Sequence, residues 1–405
     1  MTTQYKHKVT IVGAGPIGAA LALALSQRHP AHSVALIDAA LHPPVFDVNT
    51  APDARVFAIN PASQQLFASL GIWDTISNAR SQPFERMHVR DANGTGSIDF
   101  SAEDDASDPY LGYLIEANLI QAVLFDALRE AKNVDILSGT TISDVQNGPD
   151  HLTIETSDGQ RFSTELLCAA DGARSSTRTL FKMPVTEKHT GQCAVVANFY
   201  HEKDHSNCAW QIFHETGPLA FLPLSDFNCR HLSSMVWSLD QQVSQTVTQM
   251  SDAEFVAAVK QATEAHFGEI ALASPRFDFE LIQRHAVDYV SSHFALVGDA
   301  AHSIHPLAGL GANIGYADVA ALVRELDRAS QRNLSWGDVP ILKRYQRARR
   351  LENELVLQSM TGFRVLFGTD NPWVASIRNT GLNLVNALSP LKRHIVRQVG
   401  ALVND

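Results

Sequence analysis

Gly13, Gly15 and Gly18 stand at GxGxxG spacing in "VTIVGAGPIGAALALAL". That spacing serves a tight turn, a close backbone approach to a pyrophosphate and a close strand–helix contact, with the helix N-terminus facing the phosphates. Asp38 closes the next apolar run, "SVALID", where a carboxylate can accept hydrogen bonds from ribose hydroxyls. The combination indicates a dinucleotide site and does not separate NAD from FAD.

Two later groups of residues could act with it. In "CAADGARSSTR" an apolar run ends at Asp171-Gly172, which taken alone reads as an ordinary β-turn. In "LVGDAAHSIHPLAGLGANIG" Asp299 closes another buried run, where an acid is costly without a hydrogen-bond partner such as a ribose hydroxyl. Gly309, Leu310, Gly311, Ala312 and Asn313 then leave backbone N–H groups unshielded at a helix start. Such a start suits partial negative charge, as on the pyrimidine edge of a reduced flavin, and otherwise reads as a glycine-rich cap without a ligand. His302 and His305 lie close by and can equally be structural histidines bonded to backbone.

Elements must hold these residues in place. Val9–Val12 reads as a buried strand, Pro16–Arg28 as a helix and Val34–Ile37 as the returning strand of a βαβ unit. Residues 112–132 read as a helix, with Leu119, Val123, Leu124 and Leu128 at helical spacing. The runs "CAVVANFYH", "CAWQIFH", "LAFLPL" and "HLSSMVWSL" predict an antiparallel sheet. It would supply the substrate wall, with one or two of Trp210, Phe213, Phe221 and Trp237 lining the pocket. A strand "FALVGDAAH" and a helix from Gly311 to about Arg328 resume the α/β style.

The 405 residues are 45% hydrophobic and 19% charged, enough for a large core and more than one domain. The net charge of −11 argues against binding nucleic acid. Cys168, Cys193, Cys208 and Cys229 show no CxxC or zinc spacing and read as reduced, buried thiols, with no metal expected. The uncharged run Val9–Gln27 mimics a signal peptide or short span, but its glycines and the following strand favour the nucleotide fold. Residues 343–405 carry ten Lys/Arg and four Asp/Glu, a net of +6 on a body of −17. Within them "SPLKRHIVRQVGALV" reads either as a basic amphipathic helix for an anionic membrane surface or as a helix packed on the body or a partner subunit.

The three signals, in this order and spacing, resemble the FAD-dependent aromatic monooxygenases of the para-hydroxybenzoate hydroxylase type over essentially the whole chain. "GDAAHSIHPLAGLGANIGYADV" further resembles the ubiquinone-biosynthesis hydroxylases, with matches at His305, Pro306, Gly309, Gly311, Asn313, Gly315 and Asp318. "AVVANF", "GPLAFLPLSD" and "YQRARRLEN" resemble the same family, in particular its 2-polyprenyl-6-methoxyphenol hydroxylase branch. Leu310 departs from the family's glutamine, and Asp38 stands where the family often has glutamate. "DARVFAIN" resembles the flavin-proximal arginine segment, which makes Arg55 an expected FAD contact.

The resemblance implies an α/β fold: a Rossmann-like FAD-binding domain with a parallel sheet, an inserted antiparallel-sheet substrate domain and C-terminal helices. The expected boundaries are 1–80, 111–182 and 284–342 for the first, 81–110 and 183–283 for the second, and 343–405 for the helices. It implies that Gly13, Gly15, Gly18, Asp38, Arg55, Asp171, Asp299, Gly309, Leu310, Gly311, Ala312 and Asn313 bind FAD, with Pro306 and His305 as catalytic candidates. The implied reaction is hydroxylation of a polyprenyl phenol by O₂ through a C4a-hydroperoxyflavin. Electrons would come from NAD(P)H or a reductase. The expected partners are other ubiquinone-biosynthesis proteins and a membrane surface, and the expected location is cytoplasmic, peripheral on the inner membrane. The alternatives are a soluble NADPH-dependent hydroxylase of a small aromatic and a non-catalytic FAD-binding scaffold. A flavin-dependent halogenase is disfavoured because no WxWxIP segment appears.

Overall fold

The computed structural model describes residues 6–42, 44–104, 108–303 and 310–367. Strands β1 (His7–Val12), β2 (Val34–Asp38), β8 (Val134–Ser138), β11 (Arg161–Ala169) and β19 (Phe294–Leu296) form a parallel sheet in the order β19-β11-β1-β2-β8. Strand β18 (Val290–Ser291) closes one edge, while β9 (Ile142–Asn147) and β10 (Leu152–Thr156) extend β11 as an antiparallel meander. Helix α1 (Pro16–Arg28) joins β1 to β2, and its residues from Gly18 to Ser26 are all buried. This helix needs no polar face, which is why its sequence mimics a membrane segment. No helix among the described residues is long and apolar enough to cross a membrane.

A second sheet runs β20 (His302–Ser303), β17 (Phe277–Ala286), β12 (Val185–His201), β15 (Arg230–Asp240), β14 (Gly217–Phe227), β13 (Cys208–His214), β5 (Arg86–Asp91), β6 (Ser97–Ser101). Strand β16 (Ile270–Leu272) also pairs with β12. A small third sheet has the order β3 (Val56–Ile59), β7 (Gly112–Glu116), β4 (Gln82–Phe84). Helices α2 (Pro61–Ser69), α3 (Trp73–Arg80) and α4 (Ala117–Glu130) flank it in sequence. Helix α5 (Ser176–Leu180) follows β11, and α8 (Leu310–Gln331) and α9 (Val339–Phe367) come last among the described residues.

The large sheet has two different faces. One packs on α6 (Gln241–Gln249) and α7 (Asp252–Ala262), with Trp210, Phe221 and Trp237 meeting Val247, Phe255 and Val259. The other meets the third sheet, where Leu224 and Leu232 pack with Ala58, Phe84 and Leu114. Strand alternation thus sends those three aromatics away from the third sheet. Phe213 packs with Val89 and Ile98 in a separate cluster. Of these aromatics, one or two of which are expected from sequence to line the pocket, Trp210, Phe221 and Trp237 are committed to the helix-covered face, while Phe213 projects with Gln211 from the other face.

Two other expectations change. The helix expected over 112–132 begins only at Ala117, because Tyr113, Leu114 and Ile115 pair with β3 on one side and, from Gly112 to Leu114, with β4 on the other. Aromatic and β-branched residues suit that strand, and the helical periodicity belongs to the residues after Glu116. All four cysteines are free, but Cys208 is half-buried and Cys229 exposed. Asn228 and Cys229 sit at φ 54° and 57° between β14 and β15, a tight hairpin tip that faces solvent.

A buried ion pair holds the segment that carries Arg55. Arg80 donates to Glu116 through Nε (2.6 Å) and Nη2 (3.0 Å), and to the Thr50 carbonyl (2.8 Å). Glu116 also accepts from the Asp53 backbone N–H at 2.6 Å. Both side chains are less than a tenth exposed. We expect Arg80→Ala to cost about 3–5 kcal/mol in urea unfolding, since it strands a buried carboxylate. Adding Glu116→Gln should recover part of that loss. A single-mutant cost below about 1 kcal/mol would show that water screens the pair as on a surface.

Candidate active site

The three glycine and acid signals leave one edge of the parallel sheet. Gly13 follows β1, Asp171 follows β11 and Asp299 follows β19, three strands that are side by side. Backbone bonds tie them together, with Ala170 N–H donating to Val12 (2.7 Å) and Val297 N–H to Ala169 (2.9 Å). Parallel strands end at the same edge, so segments far apart in sequence converge there.

The first loop's glycines have separate tasks. Gly13 has φ +97°, and a Cβ there would lie 2.4 Å from the Ala170 carbonyl oxygen. A Cβ on Gly18 would lie 1.9 Å from the Gly13 carbonyl oxygen. Gly15, the N-cap of α1, would place a Cβ in open space, and no side chain caps that helix. Gly13 and Gly18 therefore let backbone meet backbone, while Gly15 keeps the N–H groups of the first turn open to an anion. Asp38 faces the same loop and accepts from Ala14 N–H (2.5 Å) and Ala40 N–H (2.7 Å).

Asp171 is engaged by protein donors. It accepts from Ser175 Oγ (2.5 Å), Thr177 N–H (3.1 Å) and Thr177 Oγ1 (2.9 Å), which fixes the turn into α5. Arg178, which sequence reasoning did not single out, is buried and donates to the Ala300 carbonyl (2.8 Å) and the Ala173 carbonyl (3.0 Å). It links the second loop to the third.

Asp299 is open to solvent, yet protein crowds it closely enough to raise its pKa, against the opposing pull of His302 and Arg55. Among the described residues no hydrogen-bond donor reaches Asp299, so this exposed carboxylate can accept from a hydroxyl. Arg55 precedes β3 and is itself exposed. Its segment is held from the other sheet by Asn198, whose amide donates to the Pro52 (2.8 Å) and Asp53 (3.1 Å) carbonyls.

Asp318 lies beneath the third loop with no exposed surface. Its Oδ2 accepts from Gly298 N–H (3.0 Å) and faces His302 Nε2 at 2.6 Å. A carboxylate only accepts, so His302 carries its proton on Nε2. Oδ1 accepts from Arg349 Nε (2.9 Å) and Asn353 Nδ2 (3.4 Å) on α9. Burial alone would raise this carboxyl, but the charges and bonds of His302 and Arg349 outweigh it and hold it below the usual range. His302 is thereby a structural histidine. Arg349 and Asn353 sit in "YQRARRLEN", a signal the sequence offered without a role.

At the start of α8, Asn313 is buried, with its amide donating to the Ala58 carbonyl (2.7 Å) and its oxygen accepting from Asn60 N–H (3.0 Å). Gly311 and Ala312 are half-buried on the first turn, which Leu310 begins. A Cβ on Gly315 would lie 2.8 Å from Ile17 of α1, so glycine there lets the helices close up. His305, Pro306, Gly309 and the side chain of Leu310 lie outside the described residues. The residues that are described fit a dinucleotide: an open helix start at Gly15, an acid beside it and an exposed carboxylate, Asp299, on the third loop.

A family described as "FAD binding domain" matches residues 6–359. The 3-demethoxyubiquinol 3-hydroxylase of Escherichia coli (strain K12) is 33% identical over 396 residues, 98% of each chain. The chain belongs to the family of FAD-dependent ubiquinone-biosynthesis hydroxylases. The ubiquinone biosynthesis monooxygenase COQ6 of Homo sapiens is 30% identical, covering 98% of this chain and 92% of its own. Among solved structures, p-nitrophenol 4-monooxygenase PnpA from Pseudomonas putida DLL-E4 superposes with a TM-score of 0.79 at 20% identity, over 98% of each chain, which is agreement in fold. The protein is a flavoenzyme, its cofactor is FAD, and its α/β fold combines parallel and antiparallel sheets as expected.

Asp318→Asn should destabilise the protein by about 3–5 kcal/mol, because Arg349 is left buried without its counter-charge. The depressed carboxyl adds a pH signature. Its stabilisation is present above the unfolded carboxylate pKa and fades as pH falls through the lower folded value. The asparagine variant should therefore show a shallower acid limb in stability-against-pH curves, and equal limbs would count against the pair. Asp299→Ala should keep the fold and weaken FAD binding by about 1–3 kcal/mol. Unchanged FAD affinity by fluorescence titration would remove Asp299 from the cofactor site.

Proposed function

We propose that the enzyme hydroxylates the ring of a polyprenyl phenol on the route to ubiquinone. The observation that carries this reading is the full-length relation to 3-demethoxyubiquinol 3-hydroxylase, at 33% identity over 98% of both chains. One oxygen atom of O₂ enters the ring, the other leaves as water, and two electrons come from NAD(P)H, directly or through a reductase. Bound FAD supplies the activation of O₂ and the transfer of oxygen.

The chain's residues do the rest. Gly13, Gly15 and Gly18 seat the pyrophosphate on α1, and Asp38 and Asp299 accept sugar or ribityl hydroxyls. Leu310 through Asn313 turn the N–H groups at the start of α8 towards negative charge on the flavin, and Gly309, outside the described residues, is our candidate beside them. Arg55 faces the same compartment. Pro306 and His305 are our candidates beside the reacting ring. Asp171, His302 and Asp318 act at one remove by fixing the loops. An apolar tail on the substrate favours work at a membrane surface, and the basic pattern of residues 389–404, outside the described residues, supports peripheral attachment there.

The test is aerobic turnover with purified FAD-loaded protein, a polyprenyl phenol, NAD(P)H and a flavin reductase. We expect a ring product containing one oxygen atom from labelled O₂. Oxidation of NAD(P)H to hydrogen peroxide alone, across the quinone-precursor phenols, would overturn the reading.

A further inference from the structure

We propose that the flavin-side face of the large sheet carries the substrate's isoprenoid tail and releases it over the free edge of β17, at Phe277 and Phe279. This rests on the polyprenyl-phenol function proposed for the enzyme. Strand register fixes the face. Val196 of β12 pairs with Val236 of β15 and with Phe277 of β17, and Ala220 of β14 continues the row. Phe279 lies in the neighbouring row, opposite Ala194. Directly paired residues in antiparallel strands project to the same side. Asn198 stands on that side and bonds to the segment before Arg55, so the row looks into the compartment between sheet and flavin loops.

The row is apolar from Phe277 to Ala220 and ends at Gln211 of β13. It is half-buried at Ala220 and Val236, buried at Val196 and Ala194, and opens at Phe277 and Phe279, which are 52% and 46% exposed. Beyond them β20 pairs with β17 only at Arg284 and His285 among the described residues, leaving the outer edge of 277–281 uncovered. Asp278 and Glu280 put the usual protective charge on the opposite face of this edge, so the exposed apolar patch of Phe277 and Phe279 is confined to one face. A flexible apolar chain leaving the site would cover them. The tail then contributes binding energy through burial while the ring stays at the flavin.

The test uses the full-length FAD-loaded protein and two phenols, one with a single isoprene unit and one with several. Binding is read from the change in flavin absorbance. The wild-type protein should bind the long tail more tightly. Phe277→Thr with Phe279→Thr keeps strand-forming residues at the edge, and retained flavin colour reports the fold. This double variant should lower the long-to-short affinity ratio roughly tenfold, the loss of about two methylene groups' burial. An unchanged ratio overturns the tail track, as does a wild-type protein without chain-length preference. An unchanged ratio with a smaller particle in sedimentation assigns the phenylalanines to a contact between copies instead. Wild-type protein that prefers the long tail but hydroxylates neither phenol, with the preference lost in the variant, retains the track and rejects the reaction.

Discussion

A single carboxylate beneath the third flavin loop carries most of the structural constraint. Asp318 has no exposed surface, so each of its lone pairs must be met by protein donors. Gly298 and His302 come from the loop side and Arg349 and Asn353 from α9. The network continues outward: Asn353 donates to Tyr289 Oη (3.2 Å), which lies 2.8 Å from His285 Nε2. A buried charge of this kind tolerates little displacement, because moving one donor leaves the carboxylate or Arg349 uncompensated. The position of the loop that presents Asp299 is thereby tied to the position of the last described helix.

The parallel sheet supplies the complementary constraint. Its order places β19, β11 and β1 side by side, and Arg178 then bridges the second and third loops through the Ala300 carbonyl. Glycine appears where backbone must touch backbone, at Gly13 and Gly18, and where a helix must approach another, at Gly315. The same residue at Gly15 leaves space. One amino acid thus does opposite work within a single motif, and only the surrounding atoms tell which.

The large sheet separates stability from access. One face is sealed by α6 and α7, while the other meets the third sheet and carries polar anchors such as Asn198. Holding Arg55 falls to both sides of the molecule, since Arg80 and Glu116 clamp the chain before it and Asn198 binds the carbonyls of Pro52 and Asp53.

Local pattern was enough for the βαβ unit, because an uninterrupted apolar helix between two apolar runs has few other solutions, and Pro16–Arg28 emerged with the expected ends. The four antiparallel runs and the dinucleotide loop were legible for the same reason: period and glycine spacing are local properties. What the tertiary structure decided was orientation and partnership. Trp210, Phe221 and Trp237 went to the sealed face because register, not composition, chooses the side of a strand. Residues 112–116 became a strand because β3 and β4 offered edges to pair with. His302 became structural because Asp318, sixteen residues later in sequence, was brought to 2.6 Å from it. Arg80 carried no motif, and Arg178 and Arg349 sat within quoted signals without a role, since an arginine's role depends on which carbonyl or carboxylate the fold delivers to it.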